Sequence, residues 1–128
     1  MKPVLLKGRV KRFRGNGRKL GYPTANLIEP TTLGDGVYFG TADLEAYTTH
    51  PALIFIGIPT TMGDKDRRIE VHLLDIIDKD YYDQELKASV LHFHRANQKL
   101  QSIKELIKIM QADEAASRVW FRRHDLLS

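Results

Sequence analysis

Between Arg68 and Leu73 the chain alternates strictly, Ile69, Val71 and Leu73 against Arg68, Glu70 and His72, and only an extended strand turns that period into one buried and one polar face. The alternation predicts a strand over residues 67–77. Three other stretches share this character. Residues 36–46 carry Val37, Phe39, Ala42 and Leu44 behind a Gly34-Asp35-Gly36 turn, and 52–56 form a continuous apolar run ended by Gly57 and Pro59. Residues 87–94 set Ala88, Val90, His92 and His94 against Ser89, Leu91 and Phe93. At Ser102 the period changes: Ser102-Ile103-Lys104-Glu105 is a capping box, and Ile103, Leu106, Ile107 and Met110 follow at helical spacing, predicting a helix with that face on a sheet. Trp120 and Phe121 are expected to seal the helix onto the core. Antiparallel strands followed by one helix suggest a closed barrel with a helical appendage.

The 128 residues suit a single domain, 1–128, with one core and no room for a second. There is no cysteine, so neither disulfides nor thiolate chemistry enter, and the apolar run from Pro3 to Leu6 is too short for a signal core or a membrane span. A soluble, cytoplasmic monomer is expected. The formal net charge is +4, and eight cations, Lys2, Lys7, Arg9, Lys11, Arg12, Arg14, Arg18 and Lys19, precede the first acid, Glu29. Such a block attracts phosphate, on a nucleotide or on a nucleic acid, or is simply the solvated face of a strand. Only Phe13 and Tyr22 interleave with the charges as stacking platforms, which favours a nucleotide and leaves an RNA-binding barrel as the rival class.

Within that block, Gly15-Asn-Gly-Arg-Lys-Leu-Gly-Tyr-Pro-Thr-Ala-Asn26 combines glycines, two cations and a Pro-Thr-Ala-Asn tetrapeptide. Glycines let backbone N–H groups approach an anion, and Arg18 and Lys19 supply charge there. Thr24 and Asn26 fall on one side of an extended chain, a neutral oxygen pair suited to Mg²⁺ that nucleotide phosphates would complete. The spacing matches neither the dinucleotide fingerprint nor the Walker loop, so a glycine-rich turn between strands is the alternative.

Gly8-Arg9-Val10, Gly15-Asn16-Gly17-Arg18 and Leu20-Gly21-Tyr22-Pro23-Thr24-Ala25-Asn26 together resemble the opening of the riboflavin kinase family, the kinase half of bacterial bifunctional FAD synthetases. Gly36-Val37-Tyr38, Ile56-Gly57 with Pro59-Thr60, Ile69-Glu70-Val71-His72-Leu73-Leu74-Asp75, Asp80-Tyr81-Tyr82, Arg95 and Asp113 follow in that family's order. The resemblance implies a six-stranded antiparallel Greek-key β-barrel with a C-terminal α-helix. It implies Mg²⁺-dependent transfer of the γ-phosphate of ATP to the 5′-hydroxyl of riboflavin, giving FMN and ADP.

Carried over residue by residue, it implies Glu70 as general base, a nucleotide site at Gly15, Gly17, Arg18, Gly21, Thr24 and Asn26, Mg²⁺ on Thr24 and Asn26, and a flavin side at Tyr81, Tyr82, Arg95 and Leu100. His72 belongs to the polar rim beside the base; a zinc site would need it to converge with His92 and His94. Asp83 stands where the family has a turn glycine, and Ala96, Asn97 and Leu100 where it has Pro, Glu and Phe. A catalytically diverged flavin or nucleotide binder of the same fold is the alternative function.

Overall fold

The computed structural model describes residues 3–10, 25–27, 31–58, 67–76, 81 and 83–127, with backbone alone at 25 and 26. Among them the strands are β1 (Val4–Arg9), β2 (Ala25–Leu27), β3 (Gly36–Leu44), β4 (Tyr47–Gly57), β5 (Arg68–Leu73) and β6 (Glu85–Arg95), followed by helix α1 (Ile103–Arg123). They hydrogen-bond as one antiparallel sheet in the order β1-β6-β3-β4-β5-β2. The protein is thus mainly β with a C-terminal helix, as the periods predict.

The two faces of the sheet bury different groups. Ile69, Val71 and Leu73 join Leu6, Leu27, Ile54, Leu86 and Val90 in the larger core, while the opposite face holds Val37, Phe39, Leu53 and Leu74 under Phe121 of α1. This double covering explains why eight of the nine residues of β3 are buried.

Helix α1 starts as its capping box requires. Ser102 Oγ accepts from the Glu105 N–H at 3.2 Å, and Glu105 Oε2 accepts from the Gln101 N–H at 2.8 Å. It ends in a Schellman motif: Asp125 is left-handed at φ 57°, its N–H donates to the Arg122 carbonyl, and the Leu126 N–H reaches the Phe121 carbonyl at 2.8 Å. The packed stripe continues the face that the apolar spacing marks, but it is buried only in the C-terminal half of the helix. The residues of α1 that are buried are Asp113, Ser117 and Phe121, four apart, whereas Ile103 is 47% exposed and Leu106, Ile107 and Met110 are half-buried and belong to neither core cluster. The helix is docked by an ion pair, a small residue and one aromatic ring, and Phe121 with Trp120 seals it as expected.

The expected phase of β6 also changes along its length. Gly40 pairs with Val90 but Phe39 with His92, and Tyr38 pairs with Phe93 but Val37 with Arg95, so Leu91 and His94 are extra residues at two bulges. Ala88 and Val90 consequently stay in the larger core, while His92 and His94 stack on Phe39 under the helix, with ring centroids 5.6 and 4.6 Å away. The second bulge also brings consecutive residues His94 and Arg95 to the same partner, Asp113.

Candidate active site

A single row of directly paired positions crosses the sheet: Asn26 opposite Glu70, Glu70 opposite Phe55, Phe55 opposite Val37, and Val37 opposite Arg95. Residues opposed in an antiparallel ladder share a face. The row therefore puts Glu70, Phe55, Val37 and Arg95 on the α1 side of the sheet, with the Asn26 position directly beside Glu70. Residues separated by dozens of positions meet because β5 lies between β2 and β4.

Glu70 is half-buried, its side chain 21% exposed, and its Oε1 lies 3.8 Å from Nη1 of Arg68, whose side chain is only 5% exposed. Arg68 is the neighbour that sequence reasoning left without a role. The signal was present in the strand alternation, which puts Arg68, Glu70 and His72 on one face. A buried guanidinium beside the carboxylate favours its ionised form, the form a proton acceptor needs.

His72, two residues on, is buried beneath α1. Burial, reinforced by the Arg118 guanidinium and opposed by Asp75, lowers its pKa from 6.5 to about 4. It is thus a neutral imidazole at neutral pH. Arg118 itself holds Asp75 through two hydrogen bonds of 2.8 and 3.0 Å and Glu114 through one of 3.1 Å, and the first of these contacts keeps the Asp75 carboxyl below its usual range. Among the described residues no group of His, Cys, Asp and Glu is arranged to hold a metal ion.

His72 makes stability depend on pH. Between 6.5 and about 4 the unfolded chain binds a proton there that the folded chain refuses, so stability falls as pH falls through that window, by up to about 1.4 kcal/mol per pH unit. Urea unfolding at pH 7, 6 and 5 checks this: His72→Gln should flatten the slope by close to one proton, and a slope equal to the parent's would assign the dependence elsewhere.

At the far end of the row, Arg95 is bound by Asp113 in a bidentate pair, Nε to Oδ1 at 2.8 Å and Nη2 to Oδ2 at 2.7 Å, and it also donates to the Ala96 carbonyl. His94 Nε2 lies 3.3 Å from Asp113 Oδ1. Leu100 is half-buried just before α1. Tyr81 is not brought to this face; its ring is buried in the larger core with Leu6, Val10 and Leu86. The cause is local. The Asp83 N–H donates to the Val10 carbonyl and the Val10 N–H to the Gln84 carbonyl, both at 3.0 Å, folding the turn back onto the end of β1. Asp83 adopts φ 64° in that turn, the left-handed geometry expected where Asp replaces glycine. Gly15, Gly17, Arg18, Gly21, Thr24 and Tyr82 lie outside the described residues, as does the side chain of Asn26.

A family model for riboflavin kinase, the flavokinases, matches residues 1–121. Over 126 residues the chain is 32% identical to the trifunctional protein RibF/MnmA of Mycoplasmoides gallisepticum, a match that covers 96% of this chain and 19% of that protein. It is 28% identical over 131 residues to riboflavin kinase of Homo sapiens, covering 95% of this chain and 84% of the human one. The crystal structure of riboflavin kinase from Trypanosoma brucei superposes with a TM-score of 0.73 at 20% identity, over 98% of this chain and 81% of that one, a likeness of fold. No helix among the described residues is long and apolar enough to cross a membrane. With its family match running from β1 into the last turn of α1, the chain belongs to the riboflavin kinase family.

Proposed function

We propose that this chain is a riboflavin kinase, transferring the γ-phosphoryl group of ATP to the 5′-hydroxyl of riboflavin to give FMN and ADP. The observation that carries the reading is the register that sets Asn26 beside Glu70, in a chain of this family. Glu70 is the base: its carboxylate takes the proton of the 5′-hydroxyl, the freed oxygen bonds to the γ-phosphorus, and the bond from that phosphorus to the β,γ-bridging oxygen breaks as ADP leaves. The transition state is loose, so the proton moves late and an ordinary carboxylate suffices. Arg68 keeps Glu70 charged and in place.

Arg18 and the backbone from Gly15 to Gly21 hold the phosphates. Thr24 and Asn26 would hold the cation, and a donor set of one hydroxyl and one amide oxygen suits Mg²⁺ rather than a softer ion. When bound, Mg²⁺ neutralises charge on the β- and γ-phosphates. The flavin ring lies against Leu100 and the first turns of α1, whose apolar residues Leu106, Ile107 and Met110 are absent from both core clusters; Arg95 closes that side. Tyr82 is assigned to the same flavin side, while Tyr81 stays in the larger core.

The sheet closes into a six-stranded Greek-key barrel. This reading is supported by its two end strands, since Leu6 of β1 and Leu27 of β2 contribute to the same core cluster. The enzyme works as a cytoplasmic monomer, where ATP is abundant and the absence of cysteine is no handicap.

The test is FMN formation, followed by chromatography with fluorescence detection, from riboflavin and ATP with and without Mg²⁺. Turnover that disappears without Mg²⁺ is expected. Flavin binding without turnover would instead identify a diverged binding module.

A further inference from the structure

Asn97 stands two residues beyond Arg95, on the segment between β6 and α1. Its Nδ2 donates to the Ile56 carbonyl at 3.0 Å. That carbonyl can only accept, so the orientation of the amide is fixed and Oδ1 is the branch left over. Oδ1 is shielded from solvent and has no hydrogen-bond partner. An acceptor in that condition destabilises the fold unless a donor arrives, and folded proteins keep few of them.

The amide is also wedged in place. Gly57 has φ 150° and lies so close that a Cβ there would fall 2.4 Å from Asn97 Nδ2. Its anchor is next to the site, because Ile56 follows Phe55, the residue paired with Glu70 on one side and Val37 on the other.

We propose that Asn97 determines how the acceptor substrate is oriented: its Oδ1 accepts a hydrogen bond from an N–H on the edge of a planar heterocycle. This rests on the riboflavin kinase reading, under which the donor is the imide N3–H of the isoalloxazine. That ring system offers many acceptors, its two carbonyls, N1 and N5, but in the oxidised state N3–H is its single N–H donor. A fixed acceptor therefore admits the ring by its imide edge and rejects the dimethylbenzene edge. Pinning the imide edge also fixes where the ribityl chain leaves the ring, and so whether the 5′-hydroxyl reaches Glu70.

The test uses 3-methylriboflavin, which lacks that N–H. Affinities for riboflavin and its 3-methyl analogue are measured by quenching of flavin fluorescence in the presence of Mg-ADP, for the parent, Asn97→Ala and Asn97→Ser. The parent should bind the analogue about tenfold or more weakly, a loss typical of a buried polar group left unpaired. Both variants should bind riboflavin more weakly and no longer discriminate, with Mg-ADP affinity unchanged.

Equal affinity of the parent for both flavins overturns the proposal and requires no variant to fold. So does discrimination that survives in a variant with unchanged thermal stability. FMN formation is followed in parallel. Flavin bound with the expected discrimination but no turnover defeats the kinase reading alone, and no flavin binding at all defeats both.

Discussion

Glu70→Gln should lower kcat for FMN formation by about 10²-fold or more, the usual contribution of a general base, and leave Mg-ADP affinity almost unchanged. Gln matches Glu in shape and keeps an oxygen that Arg68 can still reach, so the fold and the neighbouring strands are disturbed little. What it loses is the capacity to accept a proton. Because the proton is transferred only on the way to the transition state, KM for riboflavin should move far less than kcat. Arg68→Met gives the complementary result: kcat should fall by less than in Glu70→Gln, since the base survives and only its support is removed. Steady-state kinetics with both substrates varied checks the pair. A Glu70→Gln enzyme with parental kcat would remove Glu70 from the mechanism and shift attention to water-mediated deprotonation.

How much of this was legible in the sequence depended on the physics at each position. The strand carrying Glu70 could be read directly, because three β-branched or aliphatic residues alternate with three polar ones and no other period fits. The start of α1 could be read because Ser102 and Glu105 each satisfy a backbone donor at a fixed spacing. Where along its apolar face that helix docks could not. Its anchors are Asp113, Ser117 and Phe121, and a search for apolar residues passes over a charged residue and a hydroxyl.

The phase of β6 was illegible for a different reason. The bulges at Leu91 and His94 arise from the pairing with β3, and nothing in the local sequence marks an inserted residue. Tyr81 illustrates the limit of a motif: an aromatic beside a flavin-side turn reads the same whether its ring faces the ligand or the core, and here it fills the core. The row from Asn26 to Arg95 was likewise invisible, because it depends on a sheet order that joins five separate segments.

Asp113→Ala should cost about 3 kcal/mol of stability, as expected when one partner of a largely buried ion pair is removed and the other is left behind. Asp113 is 5% exposed and receives both arms of the Arg95 guanidinium, with His94 as a third neighbour, so truncating it strands a cation between sheet and helix. The charge matters more than the shape, and Asp113→Asn should show most of the same loss because a neutral amide cannot compensate Arg95. Arg95→Ala in the Asp113→Ala background should recover part of the stability, since the remaining cost was an unpaired charge; chemical denaturation of the two single variants and the double gives that coupling. Function adds a second readout. The pair ties the row containing Glu70 to the helix proposed to line the flavin slot, while the residues proposed to hold the nucleotide, Gly15 to Asn26, belong to other segments. Asp113→Ala should therefore weaken riboflavin binding and spare Mg-ADP, and equal weakening of both would mean that the pair supports the whole fold rather than the flavin side.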